Sequence, residues 1–267
     1  MEIKAIGKRL WQKFLFLVIP AVVFKVFMDL LHGANPAHFL QDGMGGYWFT
    51  ITLFECFLIY YLVALVIKRS GIQMIIMAFI ALAGIGLLSL YGEFGPKLLD
   101  MNRLAKYFQY FVFGLLAMRY KDLYEKAMNN EWLKAAGILS FFVLLFIINQ
   151  VSMPAPVFHA LRDLVLRYLG TFVVVSFFVC RKEVFDTGSR TNKLLTSIGR
   201  KSLAIYLLQY FFIPSFMAWP EWIAGMDGFT VHVISFAYTI VITAVCLSFI
   251  ELLSNSTLIK KYALGQK

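Results

Sequence analysis

Charge is scarce in this chain. Only 15% of its 267 residues are Asp, Glu, Lys or Arg, against about a quarter in an ordinary soluble domain, so a water-facing shell around a globular core is excluded. Acid is scarcer than base, and 15 Asp and Glu against 25 Lys and Arg leave a net charge of +10. The three cysteines, Cys56, Cys180 and Cys246, each fall within or at the end of an apolar run. They have neither metal-ligand spacing nor the pattern of a disulfide framework, and they read as small core residues. No nucleophile elbow, glycine-rich phosphate loop, HExxH or paired-cysteine motif occurs. There is no internal repeat, and no inverted hydropathy symmetry of the kind that builds duplicated transporters. The basic lead EIKAIGKRLWQKF after Met1 is not followed by a small-residue cleavage site, so no signal peptide is read.

What the chain has instead is hydrocarbon. Sixty per cent of its residues are hydrophobic and the mean hydropathy is +0.75. Eight apolar runs stand out, at about 11–31, 47–67, 72–90, 104–119, 132–150, 160–180, 203–219 and 230–253. Most approach the roughly 20 residues that cross a bilayer core of about 30 Å. The pattern predicts an all-α polytopic bundle of about eight transmembrane helices, forming a single membrane domain over residues 1–267. The longest polar connection, Cys180 to Lys201, is too short for a second domain.

Positive loops stay in the cytoplasm. Lys4, Lys8, Arg9 and Lys13 open the first run, Lys68 and Arg69 follow the second, and Arg119, Lys121, Lys126 and Lys134 separate the fourth from the fifth. Arg181, Lys182, Arg190, Lys193, Arg200 and Lys201 precede the seventh, and Lys260, Lys261 and Lys267 close the chain. The opposite side has only Lys97, Arg103 and Lys106. Both termini are therefore expected in the cytoplasm. The positive charge is accounted for by topology and by attraction to anionic membrane lipids; being spread loop by loop, it gives no reason to invoke nucleic acid.

Ionisable groups inside a membrane are expensive and are functional candidates by default. Lys25 and Asp29, at i and i+4 near the outer end of the first run, can pair with each other or reach water. Asp163 and Arg167 have the same spacing, which leaves Arg162 needing an anion from another helix or from a ligand. Glu55 lies about 12 Å into a helix that starts outside at Tyr47, on one face with Thr52 and Trp48. It is either a functional acid or half of a buried ion pair with one of these arginines. Counting rise from each interface puts Glu55, Arg167 and Gln209 near mid-depth, which predicts a polar layer there. The four histidines, His32, His38, His159 and His232, all fall on the outer side in or near loops. The segment HGANPAHFLQDGMGG (32–46) reads as a turn-rich outer connection that either covers a pocket or joins two helices.

The most informative segment is IGRKSLAIYLLQYFF, Ile198 to Phe212, where a basic turn runs into an apolar helix. Ser202, Tyr206 and Gln209, at i, i+4 and i+7, share one face, and such a stripe points at protein or a water-filled cavity rather than at lipid. The segment resembles the Gly-(Arg/Lys)-x-Ser-Leu-x-Ile-Tyr-Leu-Leu-His pattern of the acyltransferase type 3 family of integral membrane O-acyltransferases, with Gln209 in the place of the histidine. Lys8–Pro20, KRLWQKFLFLVIP, is similar to a basic segment of that family that runs into an apolar stretch and a proline. Gly46–Val63 looks like its Trp-Phe helix, carried by Trp48, Phe49, Leu53 and Phe54. Lys106–Tyr120 resembles its aromatic helix ending Phe-x-x-Gly, here Phe111 and Gly114. The four segments follow the family's order over nearly the whole chain.

The resemblance implies transfer of an acyl group, usually acetyl, from cytoplasmic acyl-CoA to a sugar hydroxyl of a surface or periplasmic glycan, in a bacterial inner membrane and without a metal. It also implies a fold of about ten helices, so that two, one bearing a histidine thought to act in catalysis, would precede Met1 or come from a partner chain. Acyl transfer needs a base for the hydroxyl proton and a cation or hydrogen-bond donor for the developing oxyanion. Glu55 is the candidate base, and Arg167, Tyr206 and Gln209 are candidates for the oxyanion. Arg9 and Lys13 would hold the CoA phosphates, and Trp48, Arg162 and Ser202 the acceptor. Two other readings stay open. One is a catalytically inactive or truncated relative that binds glycan or a partner, and the other is a glycan or lipid transporter.

Overall fold

The computed structural model describes residues 3–35, 43–92, 95, 100–148, 156–180, 188–213 and 225–256. Among these residues there are helices and turns and no strand, as a chain with no water to satisfy its backbone requires. In order the helices are α1 (Ile3–Lys13), α2 (Ile19–Leu31), α3 (Trp48–Val66), α4 (Ser70–Tyr91), α5 (Met101–Arg119), α6 (Lys121–Asn129), α7 (Glu131–Ile148), α8 (Pro156–Cys180), α9 (Arg190–Phe212) and α10 (Gly228–Leu253). Residues Lys4–Leu31, Gly45–Val66, Ser70–Tyr91 and Gly228–Leu253 are each long and apolar enough to cross a membrane. A bent pair, Lys121–Asn129 with Glu131–Ile147, qualifies as a fifth crossing when taken together. The other long helices carry internal charge, such as Arg103 and Lys106 in α5 and Arg162, Asp163 and Arg167 in α8.

Helices α1 and α2 form one continuous rod joined by a wide turn, Phe14–Val18, in which Ile19 N–H bonds the Phe14 carbonyl five residues back. Pro20 explains the turn: it has no N–H for the carbonyl four residues earlier, and its ring would strike that carbonyl in a regular helix. The rod covers 28 residues from Lys4 to Leu31, about 42 Å at 1.5 Å per residue. That exceeds the hydrocarbon core, so its basic first turns project beyond it.

The polar connection expected from Cys180 to Lys201 is in part helix, because α9 already begins at Arg190. Ser189 accounts for this by capping α9, its hydroxyl accepting from Asn192 N–H at 3.0 Å. The basic stretch between the fourth and fifth runs likewise holds α6. Asn130 ends α6 in extended conformation and its side chain accepts from Leu133 N–H at 3.1 Å, starting α7, with a 76° bend between the two helices. Asp227 opens α10, where the Thr230 hydroxyl and amide hold its carboxyl below the usual carboxylate range.

The chain divides into two compact units, Met1–Met77 with Phe94–Tyr107 and Thr196–Lys267, and Ala78–Glu93 with Phe108–Leu195. In the first, Ala21 and Phe24 of α2, Met44 and Tyr47, Ala204, Leu207 and Leu208 of α9, and Ile242, Cys246 and Ile250 of α10 form one buried cluster. Helices α9 and α10 run antiparallel, tied by Lys201 to Glu251 at 3.0 Å and by the Tyr238 hydroxyl donating to the Phe212 carbonyl at 3.1 Å. The second bond satisfies an orphan carbonyl at the end of α9. Cys56 and Cys246 are buried and free, as expected of core residues.

In the second unit, α7 and α8 pack antiparallel by a reciprocal exchange of small and large residues. A Cβ on Gly137 would strike the Phe172 ring, and one on Gly170 would meet Phe141 at 3.4 Å. Small residues that let helices approach closely are the usual currency of packing in membranes. Gly137→Val is expected to lower the thermal midpoint in detergent, at about 1–3 kcal/mol for overpacking. Gly114→Ala, with nothing within 4 Å, is expected to leave it unchanged or raise it slightly.

Candidate functional site

Glu55 sits one turn below Thr52 and two below Trp48 on a single face of α3. Its side chain is 7% exposed and that of Thr52 3%. Neither carboxylate oxygen of Glu55 nor the Thr52 hydroxyl has a hydrogen-bond partner among the described residues. A buried carboxylate without donors is costly, and the ion pair that would make it structural is not present among the described residues.

Asp100 lies close enough to act on Glu55 electrostatically. Asp100 is the non-glycine residue with positive φ, at 40°, among the described residues, a conformation that costs an L-residue about 1–2 kcal/mol. It holds Arg103 at the start of α5, with Arg103 Nη1 2.8 Å from Oδ2. The Arg103 guanidinium lies 4.7 Å from the centre of the Trp48 ring, and Trp48 stacks on Tyr107 at 5.1 Å. Asp100, Arg103 and the Trp48–Tyr107 pair thus lie around the N-terminal end of the face that carries Glu55.

On the other side of α3, Tyr206 of α9 joins the two helices. Its hydroxyl donates to the Gly46 carbonyl and accepts from Phe49 N–H at 3.2 Å, so one side chain satisfies a carbonyl and an orphan amide where α3 begins. Gly46 is required beside it, because a Cβ there would lie 2.5 Å from the Tyr210 ring. Lys25 and Asp29 pair at 2.5 Å, as their spacing predicts. Tyr47, 3% exposed, is near enough to feel Asp29, Tyr206 and Tyr210, and its hydroxyl has no partner among the described residues.

Other expected site residues are more dispersed. Gln209 is half-buried and belongs with Glu55 and Tyr206 to the first unit, whereas Ser202 is exposed. Arg9 is exposed on α1, and Lys13 lies over the Phe57 ring at 4.1 Å. Arg162 and Arg167 belong to the second unit. The expected pairing there is corrected: Asp163 takes its neighbour Arg162, with Nη2 at 2.9 Å and Nε at 3.0 Å, while Arg167 is exposed and makes no ion pair among the described residues. The half-buried Arg162 brings its guanidinium to the adjacent carboxylate directly, without a turn of helix between them. His32 bonds the Met28 carbonyl at 2.8 Å and His232 the Gly228 carbonyl at 2.5 Å, both exposed at helix ends. His38 and the side chain of His159 lie outside the described residues.

Asp100, Arg103 and Tyr107 were not singled out from the sequence. The available signal was that Arg103 and Lys106 defy the charge bias, as two of only three cations assigned to the outer side. Tyr206→Phe, which removes the hydrogen bonds to the Gly46 carbonyl and from the Phe49 amide, is expected to cost about 1–2 kcal/mol, read as a lower thermal midpoint in detergent. An unchanged midpoint would mean that the hydroxyl does not hold α3.

No curated protein and no solved structure matches the chain. The acyltransferase domain family matches residues 4–251, a stretch that contains α3, α5 and α9 with the buried Glu55, the Asp100–Arg103 pair and the Tyr206 bridge. The chain is a member of the acyltransferase type 3 family, a membrane protein of apolar helices.

Proposed function

We propose that this protein is an O-acyltransferase that moves an acyl group, acetyl in the simplest case, from cytoplasmic acyl-CoA to a hydroxyl of a carbohydrate presented on the outer side of a bacterial inner membrane. The observation that carries the reading is Glu55, a buried acid with no hydrogen-bond partner on a helix of a family that performs acyl transfer. A structural carboxylate would be expected to have found donors. One kept without them is available to take a proton.

In this reading the acceptor hydroxyl gives its proton to Glu55 as its oxygen attacks the thioester carbon. A C–O bond forms, the C–S bond breaks, and the proton passes on to the departing CoA thiolate, so that ester and free thiol result. Thr52, beside Glu55, orients the hydroxyl, and Trp48 offers a ring face to the sugar. Gln209, in the same unit as Glu55, is a candidate for the oxyanion and Ser202 for the acceptor. Tyr206, with its hydroxyl engaged at Gly46 and Phe49, contributes by positioning α3. Arg9 and Lys13, at i and i+4 on the projecting basic end of the first rod, suit the phosphates of CoA. The topology that fits is about eight crossings with both termini in the cytoplasm, one membrane domain in all.

Glu55→Gln and Glu55→Leu separate a catalytic from a structural carboxylate. Both are expected to lower the release of CoA thiol from acetyl-CoA in detergent by about 10²–10⁴-fold, the range of general-base catalysis. Both are also expected to leave the thermal midpoint unchanged or raised, since an uncompensated buried acid is replaced. Loss of stability with activity intact would contradict the role. Arg9→Ala is expected to raise the KM for acetyl-CoA, and an unchanged KM would reject the donor contact.

A further inference from the structure

The Asp100–Arg103–Trp48–Tyr107 cluster at the outer end of α3 and α5 is built in a way that general acyl transfer does not require. Arg103 and Lys106 stand one turn apart on α5, on the side of the membrane where the charge bias leaves few cations. Arg103 is fixed on two sides. Its plane lies over Trp48 at 4.7 Å, and its Nη1 is held by Asp100 at 2.8 Å. Its Nε and Nη2 have no hydrogen-bond partner among the described residues, and the side chain is 41% exposed. The guanidinium fork matches the two oxygens of a carboxylate or phosphate, and fixing it beforehand reduces the entropy lost on binding. Asp100 holds this arrangement from a backbone conformation, φ 40°, that L-residues seldom adopt; such strain concentrates at ligand clamps.

We propose that Arg103 is an oxyanion clamp that selects an acidic acceptor, binding a carboxylate or phosphate on the glycan while the neighbouring hydroxyl is presented to Glu55. Trp48 and Tyr107 supply the stacking surface for the sugar ring beside the charge. Asp100 is a positioning residue: it occupies one edge of the guanidinium and leaves the fork of Nε and Nη2 to the ligand. This specificity rests on the acyl-transfer reading for the identity of the ligand as acceptor, but the clamp itself is testable without any donor.

The experiment is saturation-transfer NMR on the full chain in nanodiscs of zwitterionic lipid, with D-glucuronate as probe, D-glucose as neutral control and inorganic phosphate as competitor. The expected result is saturable binding of glucuronate at least tenfold tighter than glucose, weakened by salt and displaced by phosphate. Arg103→Gln should abolish that preference, and Arg103→Lys, which keeps the charge without the fork, should retain only part of it. Equal binding of glucose and glucuronate by the parent protein, or an undiminished preference in Arg103→Gln, would overturn the clamp, and the first comparison needs no variant to fold. Binding of phosphate without glucuronate would support the clamp with a phosphorylated acceptor. Occupancy seen only in nanodiscs containing anionic phospholipid would overturn it in favour of a lipid headgroup. A chain that shows the Arg103-dependent preference but releases no CoA thiol would fail the transfer reading and keep the clamp. The reverse outcome would fail the clamp alone.

Discussion

The first turn of α3 leaves amides and carbonyls without helical partners, and the Tyr206 hydroxyl satisfies two of them from a neighbouring helix. By donating to Gly46 and accepting from Phe49, it fixes where α3 begins and hence which face Trp48, Thr52 and Glu55 share. The aromatic contacts around it, Tyr206 to Phe49 at 5.7 Å and to Tyr210 at 5.9 Å, and Tyr47 to Tyr210 at 5.0 Å, leave little freedom for the turn to shift. Gly46 belongs to the same device, because a side chain there would displace the Tyr210 ring. One face of α9 thus anchors the turn while its other face, Ala204, Leu207 and Leu208, closes the core against α2 and α10.

Holding α3 in this way has an energetic consequence. An ion in a low-dielectric interior costs several kcal/mol unless it is paired, and an unmet buried hydrogen-bonding group about 1–3 kcal/mol. Glu55 and Thr52 incur such terms side by side, and Asp100 adds a repulsive carboxylate and a strained backbone. Packing alone has no use for this concentration of unfavourable terms at one end of two helices. Lys25 and Asp29 make the contrast: near the C-terminal end of α2, they neutralise one another and need nothing further.

Much of the helical layout was legible from hydropathy. The run at 47–67 is α3 and its entry turn, 72–90 is α4 and 230–253 is α10, each within two or three residues. The failures have local causes. The basic residues of 190–201 looked like a loop, yet Ser189 caps a helix through them, and α6 was hidden because a short amphipathic helix carries as many charges as a connector. Glu55 and Tyr206 were legible as candidates because polar groups in apolar runs are rare. Arg103 was not, since its one sequence signal, a cation against the charge bias, says nothing of its contacts with Asp100 and Trp48. The Asp163–Arg167 pairing failed because helix spacing permits a contact without excluding a shorter one to the adjacent residue.

The central claim, that Glu55 is a reactive carboxyl in an apolar setting, is tested most directly by a hydrophobic carbodiimide, which converts a carboxyl shielded from water to a stable N-acylurea. Peptide mapping after treatment in detergent should place the adduct on Glu55, with loss of acyl transfer in proportion to labelling and protection by the carbohydrate acceptor. Full activity after complete modification of Glu55, or labelling elsewhere with Glu55 untouched, would contradict the account.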